Sequence, residues 1–329
     1  MNILLTGSTG FLGFRTLERL VQLPTVKKVV ATGRCLRKSR EILHPKVKYI
    51  LGDLTDELFV KTLMKDIDVI INTASLSSPW GSEESFYLAN VLSQKNIIYS
   101  AETEGVKRFI YISSPSIYYN GEDRLLVKES DPLPTKFVNN YSKTKRSAEV
   151  LLENSKQDYI IIRPRAIIGR GDTIIMPRLI KAHSEGRLKI IGDGENEVDL
   201  TSVDNVVESI VLSINAPNNA WNHAYNITDG NPVSLWRSIN TVLQGIGKRK
   251  IEKNIKFSIA YSVASILEWA SIWVTKKEPS LTKYSVGVLS KTFTLDISKA
   301  KKILGYNPVV TTEESIEEFI KWYKKNERD

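Results

Sequence analysis

The stretch Met1-Asn2-Ile3-Leu4-Leu5-Thr6-Gly7-Ser8-Thr9-Gly10-Phe11-Leu12-Gly13 decides the fold. A short apolar run that favours a strand leads into glycines at positions 7, 10 and 13, which open an amphipathic stretch that favours a helix. Glycines at such a turn let the backbone approach a pyrophosphate closely, and the helix N-terminus presents N–H groups and partial positive charge to the anion. The segment therefore predicts a dinucleotide-binding site at the first β–α turn.

Strand-like and helix-like segments continue to alternate through the first half of the chain, with apolar runs at Val69–Asn72 and Arg108–Ser113. This alternation predicts an α/β fold: a Rossmann-type doubly wound parallel sheet with helices on both faces and right-handed crossovers. After Pro164 the pattern changes and predicts a smaller C-terminal α+β substrate lobe. We place the dinucleotide-binding domain in residues 1–168, with added segments from about 198–228, and the substrate lobe mainly in 169–329.

Composition indicates an ordinary globular protein. The 329 residues are 42% apolar and 25% charged, with a formal net charge of +9. The single cysteine, Cys35, excludes an intrachain disulfide framework, and with only His44, His183 and His223 beside it no metal site is predicted. No targeting segment is recognisable, so a cytoplasmic location is expected. The positive charge suits an anionic ligand or surface, but no motif supports nucleic-acid binding.

The longest apolar stretch runs from Ser258 to Val274 and contains four serines and Glu268. This is marginal for a membrane span, which needs about 20 apolar residues. No transmembrane segment is predicted. We expect a helix buried against its own protein, with peripheral membrane contact as the alternative.

A basic loop follows the second predicted strand, with Arg34, Arg37, Lys38 and Arg40 close together. An acidic residue here would bind a ribose 2′-hydroxyl, whereas a guanidinium can neutralise a 2′-phosphate. The loop therefore favours NADP, with NAD possible and a solvated basic loop as the alternative. Asp53 follows the third predicted strand, where an acid could contact adenine or cap a helix.

Tyr141 and Lys145 are four residues apart and share one face of a predicted helix. A nearby ammonium favours the ionised phenol and so lowers the tyrosine pKa. Tyr141 could then exchange a proton with a ketone or alcohol oxygen near neutral pH. Ser114, at the end of the preceding strand, could hydrogen-bond the same oxygen, with Ser113 and Ser116 as the other candidates.

With these motifs the sequence resembles the extended short-chain dehydrogenase/reductases, the superfamily of NAD-dependent epimerases and dehydratases, over essentially the whole chain. The resemblance implies that Asn90 completes a Ser-Tyr-Lys catalytic set, and that the protein is a homodimer. Motifs and resemblance together assign cofactor contacts to Gly7, Thr9, Gly10, Phe11, Leu12, Gly13, Arg34, Arg37, Asp53, Leu54, Thr73, Ala74, Tyr141, Lys145 and Pro164.

Two departures from the nucleotide-sugar enzymes concern the substrate. Pro115 and Ser116 stand where dehydratases typically carry an Asp-Glu pair, so dehydration has lost its acid and base. Val198 precedes Asp199 where an arginine typically grips a diphosphate, so a strong bidentate contact is missing. The alternative is that another basic residue supplies this contact: Arg165, Arg178 or Arg187.

The segments 113–117, 192–200 and 278–282 resemble the 3β-hydroxysteroid dehydrogenase branch, including the bacterial 2-alkyl-3-oxoalkanoate reductases. The leading hypothesis is therefore an NADP-dependent oxidoreductase for a small hydrophobic ketone or β-keto acid, with Tyr141 as proton donor or acceptor. A nucleotide-sugar epimerase with tightly bound NAD(P) is the alternative. A non-catalytic NADP sensor is disfavoured because it has no need of Tyr141 and Lys145.

Overall fold

The computed structural model describes residues 1–326. Its strands are β1 (Asn2–Thr6), β2 (Lys28–Thr32), β3 (Val47–Tyr49), β4 (Val69–Asn72), β5 (Arg108–Ile112), β6 (Arg124–Val127), β7 (Asp158–Pro164), β8 (Ile167–Ile168), β9 (Ile190–Ile191), β10 (Glu197–Val198), β11 (Thr201–Ser202), β12 (His223–Ile227), β13 (Val233–Ser234), β14 (Asn254–Ile255) and β15 (Phe293–Leu295).

The helices are α1 (Phe11–Leu20), α2 (Glu57–Thr62), α3 (Glu83–Phe86), α4 (Ser93–Thr103), α5 (Asn140–Glu153), α6 (Ile175–Ser184), α7 (Val203–Ile214), α8 (Leu235–Gly245), α9 (Phe257–Ala270), α10 (Lys283–Ser290) and α11 (Thr312–Asn326). Short 3₁₀-helices lie at Lys38–Arg40, Pro115–Tyr118 and Asn218–Ala220. Segments of π-helix lie at Tyr87–Leu92, Ser271–Thr275 and Ala300–Leu304.

The main sheet has seven strands in the order β3-β2-β1-β4-β5-β7-β12. Every neighbouring pair in it is parallel. The order reverses direction between β1 and β4, which is where open α/β sheets bind their ligands. The predicted Rossmann-type parallel sheet is confirmed, and β12 joins it from beyond residue 168.

Helices cover both faces of this sheet because its central strands are apolar on both sides. On one face α1 and α7 pack together, and their Leu17 and Val206 lie in one core cluster. On the other face α2, α4 and α5 contribute Val60, Ile97 and Leu152 to a second cluster. Because the seven strands are parallel, their carboxyl ends meet at one edge of the sheet, and this edge positions the candidate site.

The remaining elements form a smaller lobe beside that edge. It contains a four-stranded sheet in the order β13-β10-β15-β6 and a separate apolar core. Val198 lies in β10, where it pairs with Val233 and Phe293 and is buried in that core.

The expectation that Ser258–Val274 is buried against its own protein is wrong. Phe257–Thr275 is the one helical stretch within residues 1–326 that is long and apolar enough to cross a membrane, yet only 17% of its most apolar part is buried. The inner side of α9 carries small residues such as Ala260 and Ala264, which are buried, and most of its large apolar side chains face outward.

Candidate active site

The glycine-rich turn between β1 and α1 is packed tightly. Gly7 has a φ of +68°, and a Cβ there would lie 2.7 Å from the Ala74 nitrogen. A Cβ on Gly13 would lie 2.1 Å from the Gly7 oxygen. Gly10 precedes α1 without a side-chain cap, so the first N–H groups of the helix remain available to an anion. These features fit a dinucleotide pyrophosphate.

The other predicted cofactor contacts surround this turn. Thr73 follows β4 and donates its hydroxyl to the Thr6 oxygen at 2.7 Å, and the Ala74 nitrogen donates to Asn72 Oδ1 at 3.0 Å. Phe11, Leu54 and Pro164 are buried, Thr9 and Leu12 are half-buried, and Pro164 ends β7.

The basic loop lies beside the ends of β2 and β3. Arg34 and Arg37 are exposed, as is Asp53, which accepts hydrogen bonds from the nitrogen and hydroxyl of Thr55, both at 2.9 Å. Those hydrogen bonds, with a smaller contribution from the Arg34 charge, lower the pKa of Asp53. Asp53 does not cap a helix, because Asp56 is the residue that caps α2.

Arg40 is better placed than sequence reasoning indicated. Its guanidinium donates to the Thr9 oxygen at 3.3 Å and to the Gly171 oxygen at 3.2 Å. Arg40 thus crosses the glycine-rich turn and connects it to the segment after β8. The sequence showed only one more basic residue in a loop, and no local signal distinguished it from Lys38.

Tyr141 and Ser114 are brought together at the ends of α5 and β5. Burial raises the pKa of Tyr141, while hydrogen bonding with the Ser114 and Ser77 hydroxyls partly offsets the rise. The Ser114 hydroxyl also accepts from the Ser116 nitrogen at 3.2 Å. Ser113 instead lies beside the buried carboxylate of Glu149. Of the three candidate serines, the structure places Ser114 next to the phenol.

Lys145 is fully buried on the same helix and does not act on Tyr141 as expected. Its Nζ donates to the Ile112 oxygen at 2.6 Å and lies 4.2 Å from the centroid of the Tyr111 ring. Burial lowers the pKa of Lys145 to about 7, although Glu149 opposes the shift. The expected lowering of the Tyr141 pKa is wrong for this structure, because burial of the phenol dominates and the ammonium is directed to β5.

Asn90 connects this helix to the loop after β4. Its Oδ1 accepts from the Leu76 nitrogen at 2.7 Å, and its Nδ2 donates to Thr144 Oγ1 at 3.1 Å. Asn90 lies in the π-helical segment Tyr87–Leu92. Such single π turns are frequent at functional sites, and here the turn places the amide between the loop and α5.

Two arginines near the end of β7 have opposite environments. Arg163 makes a bidentate pair with buried Glu149, with both N–O distances at 2.8 Å. Arg165 has no carboxylate within 4.0 Å anywhere in residues 1–326, and its buried Nε has no hydrogen-bond partner there. Asp199, the acid that acts on it electrostatically, instead accepts from the Leu295 nitrogen at 2.6 Å.

Aromatic rings surround Arg165. The Phe293 ring centroid lies 4.9 Å from its guanidinium carbon, and the Tyr119 and Tyr284 ring centroids lie 6.1 Å apart. The Tyr119 hydroxyl is also buried without a partner among the described residues. Tyr284 is close enough to influence the pKa values of both Tyr141 and Arg165. We call Arg165, Tyr119, Tyr284 and Phe293 the arginine pocket, and it adjoins Tyr141.

Comparisons with known proteins identify the family. The model of the NAD dependent epimerase/dehydratase family matches residues 3–228. A 2-alkyl-3-oxoalkanoate reductase of Stenotrophomonas maltophilia is 31% identical, over 96% of this chain and 97% of its own. A 3beta-hydroxysteroid-dehydrogenase/decarboxylase of Arabidopsis thaliana is 34% identical, over 88% of this chain and 68% of its own.

The solved structure of a UDP-glucuronic acid 4-epimerase from Bacillus cereus, in complex with NAD, has a similar fold. Its TM-score is 0.75 with 23% sequence identity, and the match covers 99% of both chains. This likeness supports the shared fold, while the relatives with higher sequence identity define the family.

Proposed function

The chain belongs to the NAD dependent epimerase/dehydratase family of extended short-chain dehydrogenase/reductases, oxidoreductases that act on CH–OH groups, and on that premise we propose that it reduces the keto group of a hydrophobic β-keto acid with NADPH. The observation that carries the proposal is Arg165, which has no ion pair within residues 1–326 and lies among aromatic rings beside Tyr141. We further propose that residues 1–168, with β12, hold the cofactor and that residues 169–329 mainly hold the substrate.

The protein groups at the reacting oxygen have separate roles in this proposal. The nicotinamide cofactor, when bound, supplies the hydride that the carbonyl carbon receives. The Ser114 hydroxyl holds the carbonyl oxygen against the Tyr141 phenol, which donates the proton. Lys145 on α5 donates to the Ile112 oxygen of β5, and Asn90 donates to Thr144 on α5, so both contacts hold α5 and the phenol in place.

The protonation state of Tyr141 favours reduction. Burial raises the pKa of the phenol above its ordinary value of 10.0, so at neutral pH Tyr141 carries its proton. A protonated phenol is the form that can donate to a developing alkoxide.

Arg165 selects an acidic ketone in this proposal. The half-buried Arg165 side chain has no ion pair within residues 1–326 and its buried Nε has no hydrogen-bond partner there, so an anionic ligand would stabilise it. A carboxylate can accept two parallel hydrogen bonds from a guanidinium, and the Tyr119 hydroxyl is free to donate a third. The rings of Tyr119, Tyr284 and Phe293 suit the alkyl part of such a substrate.

A nucleotide-sugar epimerase is the less favoured function. Val198, at the place of the diphosphate-gripping arginine, is buried in the lobe core and has no access to a ligand. Arg178 and Arg187 are paired with Glu278 and Glu185 at the surface, so neither is free to supply the missing contact. A reductase consumes NADPH in proportion to product, whereas an epimerase returns the hydride to its substrate.

Replacing Arg165 with methionine tests the substrate class. We expect Arg165→Met to raise the KM for a 3-hydroxy acid or β-keto acid by about 10- to 100-fold, since a charge-assisted hydrogen bond is worth about 1.5–3 kcal/mol. The matched secondary alcohol or ketone without a carboxylate should be affected little. Steady-state kinetics of the unaltered protein and of Arg165→Met, each with both substrate types, provide the measurement.

Arg178→Met is the control, because Arg178, unlike Arg165, is ion-paired with Glu278 at the surface of the lobe. Equal losses on the acidic and neutral substrates would contradict carboxylate recognition by Arg165. Calorimetry with UDP is a second test. The epimerase would be favoured if UDP binds more tightly than about 100 μM, near −5.5 kcal/mol, and if Arg165→Met loses that binding.

The NADP preference rests on the basic loop. Arg34 is exposed at the end of β2 and acts on Asp53, and Arg40 lies across the glycine-rich turn. Arg34, Arg37 and Arg40 can therefore surround a ribose 2′-phosphate. Among the site residues on that side, only Asp53 is acidic. NAD remains usable because the turn itself binds only the pyrophosphate.

Reversing the charge at position 34 tests this preference. We expect Arg34→Glu to weaken NADPH binding by about 10- to 100-fold, from the loss of a contact worth about 1.5–3 kcal/mol and the added repulsion. NADH binding should change little. Fluorescence titration of both cofactors gives the result, with Arg19→Glu on the exposed end of α1 as a matched charge reversal. Tighter binding of NADH than NADPH by the unaltered protein would contradict the assignment.

We also propose a homodimer. Tyr99 on α4 and Val150 on α5 are exposed apolar side chains on two helices that pack side by side. A second copy would cover them.

A further inference from the structure

The apolar side chains of α9 are arranged opposite to those of an ordinary surface helix, which buries its large apolar residues. Its buried positions hold the small residues Ala260 and Ala264, with relative exposures of 1% and 0%. Phe257 and Leu267 are half-buried, but most of its large residues face outward, with Ile266 exposed by 66%, Trp269 by 60% and Trp273, in the adjoining π-helical segment, by 69%. An amphipathic helix of a water-soluble protein places its large apolar residues toward the core. This helix is matched to an apolar medium on its outer side.

The exposed residues form one continuous patch. The segment Phe257–Thr275 is a single helical rod. Its exposed large apolar side chains are those of Ile259, Tyr261, Val263, Ile266, Trp269, Ile272, Trp273 and Val274. We call these eight residues the α9 face. Contiguous exposed apolar patches of this kind mark interaction sites.

Basic side chains flank the α9 face at both ends. Residues 248–283 contain eight lysines and arginines and three glutamates. Lys253 and Lys256 precede the helix and Lys276 and Lys277 follow it, all of them exposed. Of the acidic residues, Glu268 is already paired with Lys283 at 3.3 Å. The surroundings of the α9 face are therefore strongly positive.

From this pattern we propose that the α9 face is a docking surface for an anionic lipid bilayer, in which the helix lies in the plane of the interface. An apolar helix face with lysines around it binds such membranes by burying apolar area and by attraction to acidic headgroups. Tryptophan prefers the interface, where its ring is half in the apolar layer. Two copies joined through the same face would bring their basic flanks together, which opposes self-association.

The helix docks in the plane of the membrane and does not cross it. Ala260 and Ala264 are packed against the lobe, and Glu268 also accepts a hydrogen bond from the Lys283 nitrogen at 2.7 Å. A membrane-crossing arrangement would break these contacts with α10. The same helix α10 carries Tyr284, so the docked bilayer would lie one helix away from the arginine pocket.

Vesicle binding by the full-length protein tests the proposal. We expect co-sedimentation with vesicles containing phosphatidylglycerol, weak binding to pure phosphatidylcholine vesicles, and a loss of binding as salt rises. The triple variant Ile266→Ser, Trp269→Ser, Trp273→Ser should reduce binding to the anionic vesicles at least about tenfold, because it removes three large apolar side chains that the bilayer would bury. Its turnover of a water-soluble substrate should be unchanged.

The matched control is Leu58→Ser with Val309→Ser, which removes exposed apolar side chains elsewhere on the surface. Quenching of tryptophan fluorescence by brominated lipids in the unaltered protein gives a readout that needs no variant. Absence of both quenching and vesicle binding would overturn the proposal. So would a change from dimer to monomer in the triple variant, measured by sedimentation velocity, because it would identify a second copy as the partner.

Discussion

Tyr141→Phe should lower kcat by about 10²- to 10⁴-fold, the range that a positioned proton donor contributes. The substitution removes only the hydroxyl that lies beside Ser114, and the ring remains to pack against Phe86, whose centroid is 6.4 Å away. The cofactor contacts of the glycine-rich turn are made by other residues, so NADPH binding should be nearly unchanged. Stopped-flow kinetics and a cofactor titration measure the two effects separately.

Tyr99→Phe on α4 is the control for this substitution, since Tyr99 is exposed and remote from the site. Turnover of Tyr141→Phe within a few fold of the unaltered enzyme would remove Tyr141 from its proposed role. An equal loss of cofactor affinity and turnover would instead show that the hydroxyl holds the cofactor in place.

The fold was predictable because its determinants are local. Gly7, Gly10 and Gly13 follow a strand and open a helix, and alternating apolar segments leave few alternatives to a parallel sheet. The spacing of Tyr141 and Lys145 correctly placed both on one helix, because a spacing of four is a property of the helix itself. Their mutual contact was not local. Lys145 turned toward the Ile112 oxygen on β5, which no spacing could reveal.

The substrate side of the site depended on partners that are distant in sequence. Arg163 and Arg165 are two residues apart, yet Arg163 is paired with Glu149 and Arg165 has no ion pair within residues 1–326. Only the folded chain shows which of two such arginines is neutralised. The α9 helix was misjudged for a similar reason. Its apolar composition indicates a buried helix, whereas the small Ala260 and Ala264 mark the side that packs.

Lys145→Met should abolish most turnover and yet stabilise the folded protein without cofactor near neutral pH. Burial lowers the pKa of Lys145 from 10.5 to about 7, so between these pH values the unfolded chain holds a proton that the folded chain gives up. By linkage, this group makes the folded protein progressively less stable as the pH falls from 10.5 to 7, and the loss stays constant below that. Methionine fills a similar volume and has no charge to bury.

The melting temperature of Lys145→Met should therefore exceed that of the unaltered protein by a few degrees at pH 7, about 1–2 kcal/mol in free energy for a chain of this size. The gap should close and reverse toward pH 10, where the uncharged lysine still donates to the Ile112 oxygen and methionine cannot. Calorimetric scans of both proteins from pH 6.5 to about pH 10 isolate this one group, since every other titration cancels in the difference. A gap that does not change with pH would mean that Lys145 is charged when buried. A lower melting temperature of Lys145→Met at pH 7 would mean that the hydrogen bond of Lys145 stabilises the fold by more than the desolvation of its charge destabilises it. Lys145 would then serve the fold and not the reaction at Tyr141.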